Sequence, residues 1–210
     1  MPAEKLRAIV AVCHHRPFNC GHVGWGYEHS DGSWRVGAVE GPGWQGVFNG
    51  FWSRKVNGLN DVMVIFENMK KLNAEYDNVK LLNVGANVSA NPVFADEMSA
   101  WVSGLEYSVI NRNCMDSAFD ILNAYAPGYV MGVLPKPEDN WFPNDWYKNL
   151  PSSTEYNLSN AIKTQPDVLL SENKQSVDDL SFNGTPPPWR IIGNENYFPP
   201  RKGRPLPMVR

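Results

Sequence analysis

Cys114 is the residue with the clearest chemical promise in this chain. It follows Tyr107-Ser-Val-Ile-Asn-Arg-Asn113, where a short strand is expected to give way to the first turn of an amphipathic helix. Unpaired N–H groups and the helix dipole at such a position favour a thiolate over a thiol and bring the pKa of a cysteine down from about 8.5. The same N–H groups can hold an oxyanion. The competing reading is a buried cysteine that packs as a small hydrophobe. The second informative stretch is Gly21-His-Val-Gly-Trp-Gly-Tyr-Glu-His29. Strand alternation puts His22, Gly24, Gly26 and Glu28 on one face and Val23, Trp25, Tyr27 and His29 on the other. Two glycines beside a histidine suggest that a helix or a substrate comes close to the backbone there. A strand histidine is by default structural, but beside a cysteine it becomes a general base.

A different chemistry is open to Cys13, His14, His15, Cys20 and His22, five soft ligands within ten residues. Their spacing lacks the paired C-x2-C or H-x3-H elements of common zinc sites, so no metal and no cofactor is expected. A disulfide from Cys13 to Cys20 is the other use of that cluster, and Pro17 supplies a turn for it. The sequons at Asn87, Asn157 and Asn183 are attributed to chance.

Several elements have to position these residues. Leu6 to Cys13 is an apolar, β-branched run of strand length, and Gly21–His29 and Trp34–Gly41 form a hairpin around Ser30-Asp31-Gly32-Ser33. Asp61 is placed to cap a helix through Leu72, and Val79–Val84 is strand-like. A helix is expected from Pro92 to Val102, a short strand from Glu106 to Ile110, and a helix from Cys114 to Tyr125 ended by Pro127-Gly128. Strands and helices are grouped rather than alternating, which indicates an α+β fold with an antiparallel sheet packed on helices.

The His-led strand of glycines and aromatics, an acidic residue on the next strand, and a later Tyr-x6-Cys with Asn113 before the cysteine resemble the circularly permuted papain-fold superfamily. That group holds permuted NlpC-like amidases and peptidases, lecithin:retinol acyltransferase-like enzymes and the PPPDE isopeptidases. In it the histidine strand precedes the cysteine helix. The resemblance covers residues 6 to 126. It implies that Cys114 is the nucleophile and His22 the general base, with a third polar group orienting the imidazole. The acyltransferase-like branch carries a second histidine further along, and none stands at that place here.

Glu40 is the candidate third residue, and hairpin register decides it. A two-residue Asp31-Gly32 turn pairs His22 with Gly41 and puts Glu40 on the other face. A three-residue loop, Ser30 to Gly32 with Gly32 left-handed, pairs His22 with Glu40. The sequence allows both, and Asn111, Asn113 and Glu28 remain competitors. Trp25, Gly24 and Asn113 are expected to contact substrate. The implied activity is cleavage of an amide bond in a peptide, an isopeptide or a peptidoglycan stem peptide. The alternative is a non-catalytic interaction module, with or without zinc at Cys13, His14, His15 and Cys20.

Composition supports this scale of fold. The 210 residues are 42% hydrophobic with a net charge of −3, enough for one domain without a disulfide scaffold and too acidic for non-specific nucleic-acid binding. The longest apolar runs fall short of the roughly 20 residues that span a bilayer. The N-terminus has no signal-peptide apolar region, so the chain is expected to be made in the cytoplasm and to leave it only by a non-classical route. Thirteen of the 17 prolines follow residue 126. The catalytic-looking domain is therefore set at residues 1–130, with a proline-rich, loop-rich extension at 131–210 that packs back around Trp141, Phe142, Trp146 and Tyr147.

Overall fold

The computed structural model describes residues 6–16, 18–69, 75–83, 90–109, 112–126, 134–152 and 154–158. Among these residues six strands form one antiparallel sheet: β1 (Arg7–Cys13), β2 (His22–Glu28), β3 (Trp34–Val39), β4 (Phe51–Val56), β5 (Asn78–Asn83) and β6 (Thr154–Asn157), in the order β4-β3-β2-β1-β5-β6. Four α-helices accompany it among the described residues: α1 (Leu59–Asn68), α2 (Pro92–Ser103), α3 (Cys114–Tyr125) and α4 (Pro143–Asn149). The architecture is α+β, as the grouping of elements implies.

Both faces of the sheet are covered, which explains why its central strands are apolar runs rather than alternating ones. On one face Ile9, Ala11, Trp34, Val36, Ala38 and Val79 pack with Val62, Ile65 and Phe66 of α1. On the other Val10, Val12, Val23, Trp25 and Tyr27 pack with Met98 of α2, with Met115, Ala118 and Leu122 of α3, and with Trp146 of α4. The glycines of the central strands make room for these layers. A Cβ on Gly24 would stand 2.6 Å from Phe66 Cε1, so the close neighbour expected there is helix α1 rather than a substrate. A Cβ on Gly37 would run into the Trp52 carbonyl oxygen and come within 2.6 Å of Trp25 Cζ2. Because backbone cannot yield as a side-chain tip can, Gly37→Ala is expected to destabilise the fold by about 1–3 kcal/mol. The shift in urea midpoint measures it, and a midpoint unchanged from wild type would show that β3 and β4 separate freely.

The structure also corrects several element boundaries. Asp61 does not cap α1; the helix starts at Leu59, and the Asp61 carboxylate accepts the Asn57 N–H from within the first turn. Glu106 to Val109 is not a strand. A tight turn with a single bridge, Ser108 to Arg112, stands there, and Ile110 lies outside the described residues. β4 and β6 were not anticipated, since short strands rich in polar residues give little periodic signal. Trp146 and Tyr147 are buried as expected, Trp141 and Phe142 are exposed, and β6 adds an edge strand from a stretch expected to be loop-rich. The rest of the proline-rich extension, from residue 159, lies outside the described residues. No helix among the described residues is long and apolar enough to cross a membrane.

Candidate active site

The hairpin joining β2 and β3 takes the longer loop. Gly24 pairs with Ala38 and Glu28 with Trp34, a register that continues to His22 opposite Glu40. His29 and Ser33 close the loop, with the His29 N–H donating to the Ser33 carbonyl at 2.8 Å and Gly32 at φ 80°. Left-handed backbone at Gly32 absorbs the extra loop residue at no steric cost, which is what the three-residue hairpin needs. One residue of slip would have turned Glu40 to the other face.

That register puts His22 Nε2 3.0 Å from Glu40 Oε2, a close approach bent away from ideal N–H···O geometry. The Glu40 side chain is wholly buried, and three further groups surround it. Trp52 Nε1 and the Tyr76 hydroxyl each donate to Oε1 at 2.8 Å, and Arg16 Nη1 donates to Oε2 at 3.2 Å. Burial pushes the Glu40 carboxyl up, but the His22 charge and the hydrogen bonds from Trp52 and Tyr76 outweigh it and bring the pKa down to about 2. Burial opposes the charged form of His22 as well. The charges of Glu40 and Cys114 raise its pKa well above the ordinary value all the same. Tyr76 is kept protonated as a donor by burial and by the Glu40 charge.

Cys114 reaches the site from the first turn of α3, close enough to the His22 imidazole for its charge to act on the ring. With Nε2 against Glu40, the other ring nitrogen is the one available to the thiol. The helix start is held by a capping box: Asn113 Oδ1 accepts the N–H groups of Met115 and Asp116, and Asp116 Oδ2 accepts that of Asn113. The Cys114 N–H, beside its own sulfur, belongs to the first turn, where N–H groups have no acceptor within the helix, so it is the N–H best placed for an oxyanion. Tyr107 borders the site near Gly41, in the field of Cys114, Glu40 and Arg16.

His22, Glu40 and Cys114, separated by 18 and 74 residues along the chain, thus meet at one end of the sheet. The other candidates do not join them. Glu28 lies at the far end of β2 in an ion pair with Arg7 at 2.6 Å. The Asn113 side chain is occupied by the cap and by Val109 O, so it is neither a free substrate contact nor an imidazole-orienting group. Trp25 is fully buried and stacked on Tyr27, and Gly24 lies under Phe66; neither offers a surface to a substrate. Asn111 lies outside the described residues. Arg16, Trp52 and Tyr76 were missed because they come from three separate segments with no local motif.

The N-terminal cluster disperses. His14 bonds Asn144 Oδ1 through Nδ1, the Cys20 thiol faces Phe18 O, and Cys13 is buried in β1. All three cysteines are free, and no group of three or more His, Cys, Asp or Glu residues among the described ones is arranged to hold a metal ion. Compared with protein-family models, curated proteins and solved structures, the chain matches none.

Proposed function

We propose that the chain is a thiol hydrolase that cleaves an amide bond in a peptide, an isopeptide or a peptidoglycan stem peptide through an acyl-enzyme on Cys114. The observation that carries this reading is a buried imidazole set between a thiol at a helix N-terminus and an ionised carboxylate. His22 takes the Cys114 proton as Sγ attacks the carbonyl carbon. The oxyanion forms beside the Cys114 N–H, and the imidazolium protonates the departing amine. Water, deprotonated by His22, then hydrolyses the thioester and releases the acid. Glu40 keeps the imidazole oriented and stabilises its charged form. The histidine strand ahead of the cysteine helix, with helices against an antiparallel sheet, is similar to the permuted papain arrangement and agrees with this chemistry.

Alkylation tests the reading without a known substrate. Exposure alone orders the thiols Cys20, then the buried Cys114 and Cys13, and burial raises the pKa of Cys13 further. A working dyad reverses this order. Iodoacetamide at neutral pH, followed by peptide mapping, is expected to label Cys114 first. Labelling of Cys20 ahead of Cys114 would leave the chain a non-catalytic module.

A further inference from the structure

Arg16 has a charge that the dyad does not use. Its guanidinium touches the same Glu40 oxygen as His22, at 3.2 Å against 3.0 Å, yet its side chain is 35% exposed where that of Glu40 is 0%. Arg16 therefore reaches into the site from solvent. Besides Arg16, three groups already surround Glu40, namely Trp52, Tyr76 and His22, and His22 balances its negative charge. Among the described residues Glu40 is the polar partner of the Arg16 side chain, through one nitrogen of a planar fork that carries five N–H donors. The remaining donors have the geometry that holds a carboxylate with two parallel bonds.

The loop that carries Arg16 is held in place before any ligand arrives. Asn144 at the start of α4 donates through Nδ2 to the carbonyls of His14 at 3.0 Å and Asn19 at 2.9 Å, and its backbone N–H donates to Cys20 O at 3.1 Å. Phe18 and Asn19 take the left-handed region, at φ 52° and 62°, to complete the turn. An arginine fixed on both sides loses little freedom on binding an anion.

We infer that Arg16 is a substrate-binding residue and that the substrates of this site carry a carboxylate close to the scissile amide. This rests on the thiol-hydrolase reading and narrows it to acidic amides, such as those of an acidic residue or a chain-terminal carboxylate.

Two small alkylating agents test it. Iodoacetate and iodoacetamide consume the same Cys114 thiolate, so the ratio of their rates cancels any change in thiolate population and reports the charge felt by the incoming carboxylate. Relative to the same ratio for a free thiol, wild type is expected to favour iodoacetate. Arg16→Gln is expected to lower that preference about two- to fivefold, the size of a part-exposed ion pair. In wild type the preference is expected to shrink with added salt, which gives a readout needing no variant. An unchanged ratio in Arg16→Gln, or a salt-independent preference in wild type, overturns the role of Arg16 while rapid labelling of Cys114 leaves the dyad intact. Labelling of Cys20 ahead of Cys114 by both reagents overturns the dyad itself.

Discussion

Replacing His22 by alanine is expected to reduce amide turnover by about two to four powers of ten, the usual contribution of a positioned general base. It should also remove the early alkylation of Cys114. The same change strips a buried carboxylate of its main counter-charge, since the Glu40 side chain is 0% exposed and, among the described residues, Arg16 is the cation that would remain against it. His22→Gln separates the two effects, because the amide can still donate to Glu40 but cannot take a proton from sulfur. Both variants are expected to label Cys114 slowly, and the glutamine form is expected to unfold closer to wild type. The measurements are alkylation rates by peptide mapping, hydrolysis of any amide that wild type cleaves, and urea midpoints. Equal labelling rates in wild type and His22→Gln would sink the dyad.

Glu40→Gln is the second large effect, and it is expected in both stability and pH dependence. Breaking a buried pair by removing one charge leaves the other uncompensated, at a cost of about 3–5 kcal/mol. The pH window follows from the two shifts. Glu40 lies at about 2 in the fold against an ordinary 4.5, so its contribution is fully present above 4.5 and is lost as pH falls toward 2. His22 is raised well above its ordinary 6.5, so its contribution is fully present below 6.5 and is lost as pH rises through the folded value. The stability gap between wild type and Glu40→Gln is therefore expected to be widest between pH 4.5 and 6.5 and to narrow on both sides. Without the carboxylate, burial is the main influence left on the imidazole and pulls its pKa down, which titration of the ring C–H resonances by NMR reads directly. A gap of the same size at every pH would mean that Glu40 acts through packing and not through charge.

Legibility of the site differs sharply between its parts. The helix from Cys114 to Tyr125 is where the sequence puts it, because its signals are local: apolar residues at helical spacing, and Pro127-Gly128 just past its end. The hairpin loop is also local, and Asp31-Gly32 marks its place. Its register is not local. A two- or three-residue loop satisfies the same residues, and the choice rests on which pairing lets both strands bury their side chains. Trp25 shows the limit from another side. Alternation separates it correctly from His22, but every residue of β2 is buried, so alternation could not say which face meets a substrate and which meets a helix. Gly24 and Asn113 fail for related reasons: one makes room for Phe66, and the other is used up in holding the helix that carries Cys114.

Legible in the residues alone are the α+β class, the helix that begins at Cys114, the strand that carries His22 and the isolation of Cys114 from the other two cysteines. Each of these depends on neighbours a few residues away, where periodicity and capping act. It takes the assembled fold to bring Glu40 against His22, to close Trp52, Tyr76 and Arg16 around the carboxylate, and to part Cys13, His14 and Cys20. Those outcomes depend on strand register and on packing between segments far apart in the chain, where the free energy lies in burying whole faces and no single residue announces its partner.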